Sequence, residues 1–120
     1  MALERGKLSN VVRVAAGATV GIATCTSSKK VYIKSIIAHA AGTGIGTGTG
    51  QVYFTQAGVT TGPTTKIFDI DVQAGETVLL EPSYPIVLAE NGDTLAVGTG
   101  NVTGVAATHL NFMITGDKEA

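Results

Sequence analysis

The segment KIFDIDVQAGETVLLE, Lys66 to Glu81, decides the class of fold. In an extended chain Phe68, Ile70 and Val72 share one face and Asp69 and Asp71 the other, because successive side chains of a strand point in opposite directions. Gly75 in QAGET supplies a turn residue, and ETVLLE (76–81) resumes as a second strand. One face is dry and the other wet or covered, the pattern of an antiparallel sheet packed on another sheet.

The same grammar extends in both directions. Downstream, ENGDT contains the Asn91-Gly92 pair favoured in tight hairpin turns, and THLNFMIT sets Leu110, Phe112 and Ile114 opposite His109, Asn111, Met113 and Thr115. EPSYP breaks a strand between Glu81 and Pro85. Upstream, VYIKSIIAH reads differently. Strict alternation puts Val31, Ile33 and Ile37 on one face and Tyr32, Ile36 and Ala38 on the other, so this is either a central strand or one whose outer face meets a neighbour. Strands are predicted over 8–15, 18–25, 29–39, 51–56, 66–72, 76–81, 94–98 and 107–115, with PIVL (85–88) a possible ninth. Helical periodicity is hard to find. About eight strands in 120 residues imply an all-β, antiparallel two-sheet sandwich of jelly-roll type. The expected organisation is an N-terminal arm (1–7), one β-sandwich domain (8–115) and a C-terminal tail (116–120), both ends being solvated.

Two glycine-rich stretches invite a phosphate-binding reading. AGTGIGTGTGQ places Gly42, Gly44, Gly46, Gly48 and Gly50 at every second position, and GTGNVTG follows at 98–104. Dinucleotide and P-loop motifs need other spacings, a following helix and, for the P-loop, a lysine. Here QVYFTQ follows and reads as a strand, so no helix N-terminus is on hand to hold an anion. The first stretch is expected to be a permissive loop between strands, ordering against a neighbouring subunit.

Other chemistries find little support. Cys25 is the only cysteine, which excludes an intrachain disulfide, and in ATVGIATC it reads as a small buried hydrophobe rather than a nucleophile. His39 and His109 are seventy positions apart, and neither has a second histidine or cysteine nearby. A metal needs three or four converging ligands. Asp69 and Asp71 share a strand face, where a solvated surface is the ordinary explanation and a bound cation the sharper one. ATCTSSKK carries neither a nucleophile elbow nor a neighbouring histidine. The expectation is a protein without catalytic residues or cofactor.

Composition points to a covered surface. Charged residues make up 14% of the chain and glycine 16 of its residues, against about 25% charged in typical domains. The 17 ionised side chains are spread over an expected folded surface of roughly 6,000 Å². Such a surface suits burial by other subunits better than solitude in water. Residues 1–34 carry Arg5, Lys7, Arg13, Lys29, Lys30 and Lys34 against Glu4, a net +5. Residues 35–120 carry Lys66 and Lys118 against eight carboxylates, a net −6. Basic strands beside acidic ones in one sheet are the ordinary explanation of this asymmetry, and head-to-tail contact between subunits is the sharper one. The basic residues are scattered and not interleaved with aromatics, which argues against nucleic acid. No stretch has the length of a membrane span, and MALERGKLSN is charged where a secretory leader is apolar.

DIDVQAGETVLLEPSYPIVLAENGDTLAV, Asp69 to Val97, resembles the small β-sandwich virion proteins of tailed bacteriophages, the capsid decoration, cement and tail-associated subunits. The matching pieces are the A-G-E-T turn at Ala74–Thr77, the P-I-V-L segment at Pro85–Leu88 and the G-D-T-L hairpin at Gly92–Leu95. KKVYIKSIIAH and the glycine- and threonine-rich link after it fit the same group, so the resemblance covers roughly 29–115. It implies a virion structural protein made in the host cytoplasm, a homo-oligomer with a trimer favoured, binding the major capsid protein or other virion proteins. Arg5 and Lys7 are the candidate assembly contact with an acidic neighbour. The alternative is a carbohydrate- or receptor-binding module of a phage tail or fibre, although the chain has no tryptophan and only Tyr32, Tyr53 and Tyr84 as tyrosines.

Overall fold

Alternating apolar residues fold here into ten strands, seen in a computed structural model that describes residues 3–40, 46–73, 75–104 and 109–119. They are β1 (Leu3–Lys7), β2 (Val12–Ala15), β3 (Thr19–Thr24), β4 (Val31–His39), β5 (Gly46–Thr55), β6 (Lys66–Gln73), β7 (Thr77–Leu80), β8 (Ile86–Leu88), β9 (Thr94–Gly104) and β10 (His109–Glu119). Every strand pairing is antiparallel.

The pairings are nested. β5 pairs with β6, β4 with β7 and β8, β3 with β9, and β2 with β10. The chain is therefore one long antiparallel hairpin, coiled so that alternate rungs fall in different sheets. The first sheet runs β1/β2, β10, β4, β7/β8, and the second runs β3, β9, β5, β6. Lateral pairing of β10 with β4 and of β9 with β5 joins the rungs within each sheet. Leu110, Phe112, Ile114, Ile33 and Ile36 of the first sheet and Val52, Val72, Leu95 and Val97 of the second are buried in one core between them.

Four segments depart from the sequence reading. VYIKSIIAH is a central strand of the first sheet, but its two faces are not composed as strict alternation gives them. Opposite it, the register of β10 shifts between Thr115, paired with Ser35, and Gly116, paired with Ile33, which leaves Lys34 as the extra residue of a β-bulge. The bulge resets the phase, so Val31, Ile33, Ile36 and Ala38 all turn into the core. Lys34 points outward and pairs with the buried carboxylate of Asp117 at 2.8 Å. Gly116 is required here, because a Cβ at that position would lie 1.9 Å from the Tyr32 carbonyl oxygen.

The expected glycine loop is, over Gly46–Gly50, the first half of β5. Residues 41–45 lie outside the described residues. A Cβ on Gly48 would stand 3.2 Å from Leu110, and one on Gly50 3.3 Å from Phe112. Alternate glycines thus let two large side chains of the opposite sheet press directly on the backbone of β5. GTGNVTG likewise belongs to a strand, the second half of β9, and pairs with the glycines of β5 from Gly46↔Gly104 to Gly50↔Thr99.

The strand expected over 8–15 is broken. Only Val12–Ala15 pairs with β10, while Leu8 and Ser9 bond the backbone of Ile114 individually. The segments expected to be solvated ends, 1–7 and 116–120, instead bond to each other through Leu3–Lys7 against Thr115–Glu119.

Candidate assembly surface

The two sheets end differently at their margins. Each outer column of the first sheet is split into two short strands. β7 and β8 are separated by EPSYP, where Pro82 and Pro85 remove backbone donors. β1 and β2 are separated by residues 8–11. The second sheet ends in single strands, β3 and β6, and among the described residues neither is paired on its outer side.

β3 carries no ionised residue, and five of the seven residues from Ala18 to Thr24 are neither charged nor hydroxylated. Val20 on this edge is 38% exposed. On the opposite edge Ile67 is 43% exposed, where the register of β6 against β5 shifts and leaves it as a bulge residue. The outward face of the sheet is flat and uncharged at its centre: Gly98 and Gly100 are covered by the Gln51 side chain, which accepts a hydrogen bond from the Tyr53 hydroxyl. Beside β3, a cavity of about 360 Å³ lies between Ile22, Ala23 and Thr24, Val31 of β4 and the end of β10, with Lys29, Lys118 and Glu119 supplying its charged groups.

The first sheet contributes an apolar outer row. Register aligns Met113, Ile37 and Leu79 across three strands, and Leu79 is 51% exposed. Val11 and Tyr84 are also exposed, and Tyr84 stands in the EPSYP break.

The residues singled out by sequence fall as follows. Arg5 and Lys7 sit two apart on β1, at the register positions of Asp117 and Thr115. Lys7 donates to the Asn10 side chain at 2.8 Å, so its ammonium is engaged within the chain. Asp69 pairs with Lys66 at 3.2 Å, and Asp71 accepts from the Thr49 hydroxyl. Both carboxylates are exposed on the edge strand. His39 shares a hydrogen bond with Thr77 through Nδ1 at 2.8 Å. Its register partner is Asn111, two residues from His109, so the histidines occupy adjacent strands despite their separation in sequence. Among the described residues no three histidine, cysteine or acidic side chains converge as a metal site would require.

Cys25 is buried, and its thiol donates to the Lys29 carbonyl. Burial pushes its pKa up, and Asp93, Glu119 and Glu90 add to the rise. The thiol is therefore protonated and unreactive at neutral pH. Asp93 is buried too, and its carboxylate accepts from the backbone N–H groups of Ala89 and Glu90, closing the ENGDT turn. Gly92 packs against Ala57 at a positive φ of 91°, where no side chain fits.

No family model, curated protein or solved structure matches the chain.

Proposed function

We propose that the chain is a structural subunit of a tailed-phage virion, a capsid decoration or cement protein that stabilises the assembled shell. The observation that supports it is the surface. Seventeen ionised side chains over 6503 Å² leave about 380 Å² for each, while Val11, Leu79, Tyr84 and the unpaired margins of the second sheet stand exposed. A surface of this kind gains from being covered. Its two antiparallel sheets with nested pairing are compatible with the jelly-roll type, a scaffold common to viral capsid proteins and lectins, which adds support at the level of the fold.

The mechanism is thermodynamic and needs no chemistry. A subunit that binds the closed shell and not its dissociated parts raises shell stability by mass action. The partners are the major capsid protein or other virion proteins and further copies of the chain, with a trimer favoured, and the location is the virion. Counting copies per purified particle by quantitative mass spectrometry tests the reading. Copies in proportion to the capsid protein support a decoration role, a few copies place the chain in the tail, and absence from the particle overturns the proposal. Exposure of Tyr84 favours the second reading, a glycan-binding module, because sugars stack on exposed aromatic rings. Loss of cell or glycan binding in Tyr84→Ala, with shell binding absent, selects it.

A further inference from the structure

We propose that the cavity beside β3 is a binding site for a small amphiphilic monoanion, a medium-chain carboxylate being the simplest member of the class. The inference is independent of the proposed place in a virion and gives the chain a ligand of its own.

The volume comes first. Protein interiors are packed closely enough to leave few voids larger than a water molecule. This cavity encloses about 360 Å³, within the range of about 300–1,000 Å³ that small-molecule sites occupy. Its wall depends on an irregularity. In a regular strand Ile22 and Ala23 would point to opposite faces, but the register of β3 against β9 shifts between Gly21 and Ala23 and leaves Ile22 as a bulge residue. Ile22, Ala23 and Thr24 therefore line the cavity in succession, and the first two pack against the hydrophobic core. Bulges re-aim side chains in this way beside active sites.

Burial sorts the lining by polarity. Val31 is buried, and Leu8, Ile22 and Ala23 are half-buried, so the interior is apolar. Thr26, Lys29 and Lys118 are exposed and form the mouth. An amphiphile fits this gradient with its tail inside and its headgroup at the mouth. Charge selects the sign of the headgroup. Lys29 and Lys118 against Glu119 leave the lining with a net +1, which a monoanion neutralises and a cation does not. Among the described residues the Lys29 ammonium has no hydrogen bond or ion pair within the chain, and a charge-assisted hydrogen bond to a carboxylate is stronger than a neutral one. No aromatic ring lines the cavity, which removes the stacking platform that a sugar would use.

The mouth is also held in place. Thr26 and Lys29 face each other across a two-residue turn, the Lys29 N–H donating to the Thr26 carbonyl at 3.0 Å. Both turn residues, Ser27 and Ser28, have left-handed backbone, and the Ser28 N–H donates to the Asn91 side chain. Residues with a side chain keep such conformations only where their surroundings over-determine them, and they cluster at ligand sites.

Titration with octanoate, followed by amide chemical shifts in NMR spectra, tests the proposal, with octanol as the uncharged control. Saturable shifts at Ile22, Ala23, Thr26 and Lys118 are expected, with octanol bound about tenfold more weakly. Lys29→Gln is expected to weaken octanoate binding about tenfold and to leave octanol unaffected. Ala23→Met fills the interior and is expected to abolish binding of both. Shifts that do not saturate, or that fall on Met113, Ile37 and Leu79 instead, overturn the inference. Equal affinity for octanol and octanoate overturns it as well, as does wild-type binding by Lys29→Gln. That variant changes an exposed side chain in a turn held by backbone groups, so it decides the matter even where Ala23→Met does not fold.

Discussion

The two sheets of the sandwich solve the same problem in opposite ways. The first has long central strands, β10 and β4, flanked by margins broken into short pieces, and its outward face carries the row Met113, Ile37 and Leu79. The second has margins of one strand each, with single bulge residues at Ile22 of β3 and Ile67 of β6, and the centre of its outward face is glycine, threonine and Gln51. Its inner face is thinned by Gly48 and Gly50 where the first sheet is thickest, at Leu110 and Phe112. Bulk is thus divided unevenly between partners that share one core, and each sheet's irregularity is explained by the other's side chains.

Substitutions can break that division, and the largest effect is expected in the first sheet. Gly116→Ala places a methyl group against the Tyr32 carbonyl, and the Lys34 bulge cannot close around it. A loss of about 3 kcal/mol or more is expected in urea denaturation, above the usual cost of overpacking because the obstacle is backbone. Next comes the contact between the sheets. Gly50→Val drives a branched side chain into Phe112 and is expected to cost about 1–3 kcal/mol, whereas Thr49→Val, on the outward face of the same strand, changes stability by less than about 0.5 kcal/mol. Equal effects at the two positions would mean that β5 does not alternate as described.

Cys25, at the corner where the chain leaves the second sheet for the first, gives a pH-dependent effect. Burial raises the folded thiol's pKa above its ordinary value of 9.0, so above that pH the unfolded chain releases a proton that the folded chain keeps. Stability is fully present below pH 9 and falls as pH rises, by up to about 1.4 kcal/mol per unit until the folded pKa is reached. Denaturation series at pH 8 and 10 on the wild type and Cys25→Ala check this, the variant lacking that part of the decline. The smallest effect is a gain. Ser27 and Ser28 hold positive φ values of 55° and 56° in the tight turn after the same cysteine, a conformation unfavourable for residues with a side chain. Ser28→Gly is expected to raise stability by a few tenths of a kcal/mol to about 1 kcal/mol in thermal melts.

What the sequence made legible is what a period of two encodes. Phe68, Ile70 and Val72, and Leu110, Phe112 and Ile114, were assigned to the core by alternation alone, and the two-sheet antiparallel class followed from them. Alternation fails where a strand slips. The bulge at Lys34 inverted the assignment of Ile36 and Ile37, because nothing within VYIKSIIAH marks it; the residue that demands it, Gly116, lies on β10. The glycines of β5 misled for a related reason. Glycine is scarce in strands because it leaves a gap in packing, and only the opposite sheet reveals that Leu110 and Phe112 fill it. As for the candidate assembly surface, the basic and acidic halves of the chain were visible as composition. The open margins of β3 and β6 were not, since an unpaired edge is a property of topology. Arg5 and Lys7 drew attention as a charged arm, yet their strand is bonded to Thr115–Glu119 and the Lys7 ammonium to Asn10.

The nesting of strand pairs also sets a timetable for synthesis. β5 and β6, neighbours in sequence, find each other as soon as both have left the ribosome, and β4 can then add β7 and β8. β3 must wait for β9, while β1 and β2 must wait for β10. Because long-range pairing is slow, the earliest residues made are the last to acquire their partners. Throughout that wait β3, a margin of the finished fold, has both its edges open.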